Sequence, residues 1–202
     1  MKKRNILLAA LFCSFTYLVN AQNIKDYGLE KKNATFYLGI GSGINNNCGA
    51  AGFKLGIRLN EKMILDAGVG VGSWGSKVSL GIVFNAINKN AWCPVLSISR
   101  ASGLNDANVK LEVEDTFGVK SKKDVNMNLT AATLFNIGIQ RQWIRKSGNR
   151  LVLDLGFSVL VDGGSHENID YTIHFSDKGK NDLNDLKPGG LVVGFSYNFG
   201  VN

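Results

Sequence analysis

Proline is almost missing, with two in 202 residues. With Gly at 24, this excludes a collagen-like chain and a Pro-rich disordered one. Cysteine is equally scarce, at three. Cys13 falls in the N-terminal segment discussed below, and Cys48 and Cys93 alone make no disulfide framework. Both are expected as free thiols at opposite ends of the molecule. Long apolar runs are absent too. The stretch from Ile6 to Val19 is diluted by Ser14 and Thr16 and is shorter than the ~20 residues a membrane-spanning helix needs. Neither sign of charge dominates. Setting Lys2, Lys3 and Arg4 aside leaves 20 basic residues against 16 acidic ones, a net +4. That is too mild and scattered for a nucleic-acid footprint, so no nucleic-acid partner is expected. A convincing helical period is lacking after residue 33.

What is present begins with an address. Lys2-Lys3-Arg4 form a positive n-region, Ile6 to Val19 an apolar h-region, and Val19-Asn20-Ala21 a small-residue cleavage site. Residues 1–21 are therefore expected to be a signal peptide. Phe12 before Cys13 is too bulky for a lipoprotein signal. Residues 22–33 are expected as an N-terminal periplasmic segment and 34–202 as one β-barrel domain.

From residue 34 onward the strand period of two recurs eight times. Six runs are clear. Phe53, Leu55, Ile57 and Leu59 alternate with Lys54, Gly56 and Arg58. Met63, Leu65, Ala67, Val69 and Val71 oppose Ile64, Asp66, Gly68, Gly70 and Gly72. Val78, Leu80, Ile82, Phe84 and Ala86 oppose Lys77, Ser79, Gly81, Val83 and Asn85. The runs over 129–140, 151–161 and 191–201 follow the same rule. Two are weaker: Phe36, Leu38 and Ile40, and Trp92, Leu96 and Ile98 with Pro94 interrupting. Proline lacks a ladder donor, so it belongs near a strand end. Tight links at 60–62, 88–90 and 145–149 fall on one end of an up-and-down meander. The long loops 101–126 and 162–188 fall on the other.

One face of these runs is almost continuous Leu, Val, Ile and Phe; the other is mostly Gly, Ser and Asn with a few charges. Small residues suit the interior of an eight-stranded barrel, and Trp92, Trp143 and Tyr197 toward the tight-turn end match an interfacial girdle. The runs, the signal and the final strand from Gly190 to Phe199 resemble the small outer-membrane β-barrel family, OmpA- and OmpX-like. The resemblance implies an all-β, eight-stranded antiparallel transmembrane barrel in the Gram-negative outer membrane. It also implies outer-membrane lipid and the barrel-assembly machinery as partners.

Within such a barrel Lys54, Arg58, Asp66, Lys77 and Asp154 point inward and are expected to form a structural charge network. Asp66 falls opposite Gly56, diagonal to Lys54 and Arg58. In the long loops Lys110, Glu112, Glu114, His166, Tyr171 and His174 are candidate contacts for an unidentified surface ligand or protein. Ser165-His166-Glu167 invites a serine-hydrolase reading, but neighbours on one strand rarely converge as a triad. The spacing of His166, His174 and nearby carboxylates matches no metal pattern. Gly39-Ile40-Gly41-Ser42-Gly43 lacks the Lys-Ser/Thr and helix of a phosphate loop. No catalytic residue, cofactor or metal is therefore expected. The expected role is non-enzymatic: surface interaction, adhesion or envelope integrity through the loops. The alternatives are a narrow porin-like transporter, a lipid-A-modifying enzyme and a soluble periplasmic binding barrel.

Overall fold

The computed structural model describes residues 34–60, 62–84, 92–114, 119–145, 147–168 and 174–201. The expected signal peptide and periplasmic segment lie outside the described residues. Eight strands form the cylinder: β1 (Phe36–Ile44), β2 (Ala51–Arg58), β3 (Met63–Gly72), β4 (Gly75–Phe84), β5 (Trp92–Ala101), β8 (Ala132–Ile144), β9 (Arg150–Gly163) and β12 (Gly190–Val201). Their order is β1-β12-β9-β8-β5-β4-β3-β2, closed and antiparallel throughout. Closure leaves no sheet edge to satisfy. Pro94 sits near the start of β5, opposite Ile139 and just beyond the β4 ladder, which ends at Val83 and Val95. There its missing N–H interrupts no bond to β4.

The two faces of the alternation separate cleanly. Lys54, Asp66, Lys77, Ser97, Asn136, Gln140 and Arg150 are buried inside, while Ile40, Phe53, Val69, Leu80, Phe157 and Phe195 are exposed on the outer surface. The inside is layered. Near the tight turns Tyr37, Ile64, Val83 and Cys93 make a small apolar cluster with Ala34. Above it lies the charged layer. At the loop end the turn between β1 and β2 folds inward, so that Asn46 and Cys48 are buried. Asn47 is held there by Ser97, whose Oγ donates to Asn47 Oδ1 at 2.8 Å, and by Ser79, whose Oγ donates to Asn47 O at 2.8 Å.

Glycine makes room for this plug. A Cβ on Gly70 would lie 2.0 Å from the carbonyl oxygen of Cys48, and one on Gly68 would lie 2.4 Å from that of Asn47. Gly70→Ala is therefore expected to displace the turn. The cost should fall in the roughly 1–3 kcal/mol range of an overpacked core, read from the denaturant midpoint.

The structure corrects the reading of this cylinder as a transmembrane, porin-like barrel of the OmpA/OmpX-like family. Its bore is solid. Lys54, Asp66 and Asp154 are drawn into a buried ion-paired cluster. Asn136 Nδ2 donates to Ser97 Oγ and Ser99 Oγ of the adjacent strand β5 on the inner face, and the β1–β2 turn stops the loop end. Buried charges must be paired and hydrogen-bonded, and here the pairing fills the space a pore would occupy. Narrow transport falls with the pore. On this finding neither the transmembrane assignment, the outer-membrane localisation nor the adhesion and envelope role is retained. The same holds for outer-membrane lipid and the assembly machinery as partners. What stands is a closed eight-stranded antiparallel barrel with a packed, polar, ion-paired interior. Among the described residues no helix is long and apolar enough to cross a membrane, an observation that concerns helices and not strands.

The long loops are structured. Strands β6 (Leu104–Glu114), β7 (Lys120–Leu129), β10 (His166–Asn168) and β11 (His174–Phe175) form a second sheet in the order β10-β7-β6-β11. Helix α1 (Asp177–Asp185) packs on one of its faces, enclosing Leu111, Val113, Val125, Met127 and Leu183. This helix is not anticipated by the sequence, because its nine residues include only one apolar side chain, Leu183. Capping and docking make it. Ser176 Oγ accepts from the Gly179 amide at 3.1 Å and donates to Glu112 Oε1 at 2.9 Å. Gly179 lets the first turn press against β6, since a Cβ there would lie 2.2 Å from Glu112 O. Ser176→Ala removes the cap and the tie together. Hydrogen exchange of the α1 amides is expected to show a loss of about 1 kcal/mol in local protection, with the barrel amides unaffected.

Candidate functional site

Of the five inward charges, three converge. Lys54 Nζ lies 2.9 Å from Asp66 Oδ2 and 3.8 Å from Asp154 Oδ2. Burial opposes the Lys54 charge, but Asp154 and Asp66 outweigh it and hold the ammonium on. Arg58 is not part of this cluster; its Nε donates to Asn60 O at 3.4 Å, at the tight-turn end. At that end Arg150 occupies the interior instead, a residue the sequence pattern did not single out. Its guanidinium donates to Gln142 Oε1 at 2.7 Å and to the Tyr37 hydroxyl at 2.5 Å, and stacks 4.1 Å from the Tyr37 ring centroid.

Lys77 stands apart. It lies on β4 at the loop end, opposite Gly70 and Ala101, and is only 5% exposed. Its ammonium donates to Asn45 O at 3.0 Å. Among the described residues no ion pair includes it. Burial without a carboxylate pushes its pKa down to about 8, with Cys48 opposing weakly.

Above Lys77 is a cavity of about 190 Å³ at the barrel mouth. Its wall is built by Asn45, Trp74, Ala101, Leu134 and Pro188, with glycines of β1 and of the neighbouring turns. Two ties fix this wall. Asn45 Nδ2 donates to Gly189 O at 2.6 Å and to Leu191 O at 3.2 Å, joining the β1–β2 turn to the start of β12. Trp74 Nε1 donates to Thr130 O at 2.8 Å, holding the indole under the loop sheet. Asn45 carries a positive φ of 53°, a conformation Asn adopts more readily than bulky residues do. Sequence reasoning named Lys77 but missed Asn45, Trp74 and Pro188. The one available signal was the Asn45-Asn46-Asn47 run at a turn, since Asn tolerates such backbone.

The loop residues play local parts. Glu112 is a brace for α1, accepting from Ser176 and lying 3.9 Å from Lys178 Nζ. Lys110 sits opposite Asp124, and Glu114 opposite Lys120 on one side and His174 on the other. These complementary pairs set the hairpin register. His166 pairs with Leu129 across β10 and β7, and burial, with Lys187 adding to it, lowers its pKa. Tyr171 lies outside the described residues. Ser165 Oγ is 2.9 Å from Thr130 Oγ1 rather than poised on His166, and Glu167 next along the strand faces Asn128, so these three side chains do not assemble as a triad. Among the described residues no group of three His, Cys, Asp or Glu could hold a metal ion.

No family model, curated protein or solved structure matches the chain. The OmpA/OmpX-like resemblance therefore has no such match behind it, and the site must be read from its own chemistry.

Proposed function

We propose that this chain is a non-enzymatic binding barrel that receives a small organic ligand in the cavity at its loop-end mouth. The observation that carries this reading is the mouth itself: about 190 Å³ of space, walled by strand backbone and fixed by the Asn45 and Trp74 hydrogen bonds. An apolar cavity of about 150 Å³ takes benzene, so this one has room for a single ring or a short chain. Pre-formed, largely apolar walls with a few placed polar groups, here Asn45, Ser73 and Lys77, are the usual form of a small-molecule site. The separation of Ser165, His166 and Glu167 supports binding over hydrolysis.

Amide and indole NMR of the whole chain tests the reading, with benzoate, benzyl alcohol and benzylamine as probes. At least one probe is expected to give saturable shifts confined to Gly43, Gly72, Gly75 and the Trp74 indole N–H. If all three leave those signals unmoved at millimolar concentration, the binding-barrel reading is wrong.

A further inference from the structure

We propose that the occupant of the mouth cavity is an organic carboxylate with a small apolar body. Its charged end meets Lys77 Nζ, and its apolar part lies against Trp74, Leu134 and Pro188. The inference rests on the binding-barrel reading and adds the chemical class to it.

The cavity contains one charged residue. Its lining includes no Asp or Glu, and Lys77 supplies the sole formal charge. An ammonium has three N–H donors, and one of those of Lys77 is engaged by Asn45 O. The others have no carboxylate to meet, since the described ion pairs lie elsewhere. The contrast with Lys54 is instructive. Both lysines are 5% exposed, yet Lys54 has two carboxylates within 4 Å and Lys77, among the described residues, has none. Buried charges are paired in stable proteins, so the countercharge missing from the chain is the one a ligand would bring. A cationic ligand would meet like charge in a desolvated space, and a neutral one would leave the ammonium uncompensated. Apart from Asn45 and Ser73, the remaining wall is Trp74, Ala101, Leu134, Pro188, Ile44 and Ala50 with glycines, which suits a hydrocarbon or ring. The backing is rigid as well: Asn45 holds the ammonium with its carbonyl while its side chain is tied to Gly189 and Leu191.

Isothermal titration of the whole chain with benzoate, hexanoate, benzyl alcohol and benzylamine separates the outcomes, run on the natural sequence, Lys77→Met and Lys77→Arg. A carboxylate is expected to bind at least tenfold more tightly than benzyl alcohol. Lys77→Met should abolish that advantage, and Lys77→Arg should retain most of it. Equal affinity for benzoate and benzyl alcohol, or a preference for benzylamine, overturns the carboxylate assignment and leaves the binding barrel standing. No heat from any probe, with the NMR signals equally silent, removes both. Thermal unfolding of each variant, recorded beside the titrations, identifies any loss of binding that comes from loss of fold.

Discussion

Replacing Lys54 by Met is expected to destabilise the barrel by roughly 3–5 kcal/mol, the cost of breaking a buried ion pair from one side. The sequence sets up the cluster. Lys54 sits on β2 opposite Gly68, and Asp66 on β3 opposite Gly56. The two residues therefore stand diagonally on the inward face of one hairpin, where the longer side chain reaches the shorter. Asp154 approaches from β9 on the far wall of the cylinder. Methionine keeps nearly the volume of the lysine stem, so little of the loss is cavity. The rest is electrostatic: Asp66, 3% exposed at its side chain, and Asp154, 17% exposed, are left as two carboxylates without a cation. Burial already raises the Asp66 pKa against the opposing pull of Lys54. Without the lysine Asp66 takes up a proton on folding more readily, and the deficit should narrow as the pH falls toward the ordinary carboxylate value of about 4. Adding Asp66→Asn to Lys54→Met should recover part of the loss, because the two residues share one interaction and their effects do not add. Denaturant midpoints at pH 4 and 7 measure all of this. A flat, small effect would show that the three groups are not coupled.

The strands themselves were legible because each run obeys one local rule. Ile64, Asp66, Gly68 and Gly70 face inward simply by standing two residues apart, and the register of β2 against β3 follows from the short link between them. Lys54 near Asp66 was likewise readable, being one hairpin apart. Asp154 was named as inward, but its approach to Lys54 depends on the curvature that closes the sheet, which no pair of neighbouring strands encodes. The inward fold of the β1–β2 turn was hidden for a related reason. Gly68 and Gly70 look like ordinary small interior residues until Asn47 and Cys48 are seen lying over them. Helix α1 was invisible because Leu183 alone makes no stripe, and its stability comes from Ser176 and Glu112, which are 64 residues apart in the chain. The environment of the outer face is a different kind of question. A period of two divides side chains between two faces and says nothing of what lies against the outer one. The correction to the transmembrane reading came from the interior, where the closed ion-paired core occupies the bore. The mouth cavity was half legible: Lys77 was placed inside by its period, but Trp74 and Pro188 come from turns, whose side chains have no period to read.

Lys77→Met is expected to act in the opposite direction from Lys54→Met and stabilise the ligand-free protein, by about 3 kcal/mol near neutral pH. The cause is the same burial without the same partners. The ammonium is held down from an ordinary 10.5 to about 8 because the folded chain strips its water and supplies one carbonyl in return. Each unit of that difference corresponds to about 1.4 kcal/mol, so a protonated Lys77 opposes folding below pH 8. Between about pH 8 and 10.5 the unfolded chain holds the proton and the folded one has lost it; stability due to this residue rises with pH through that window. Two other groups run against it. Burial raises Cys48 from 9.0 to about 11 and Cys93 to about 12, so their contribution is fully present below pH 9 and is lost as the pH climbs further. The natural chain alone would therefore give a blurred profile, whereas the difference between it and Lys77→Met cancels Cys93 and most of Cys48, whose coupling to Lys77 is the smallest of its causes, and brings out the lysine. That difference should be largest at pH 7 and close to zero by pH 10.5. Methionine also keeps the stem packed against the plug, so the gain is not offset by a hole. In saturating benzoate the sign should reverse, since the natural chain then acquires the missing countercharge and Lys77→Met does not. A stability difference that stays constant from pH 7 to 10.5 would mean that Lys77 carries no buried charge, and the argument for an anionic occupant would lose its foundation.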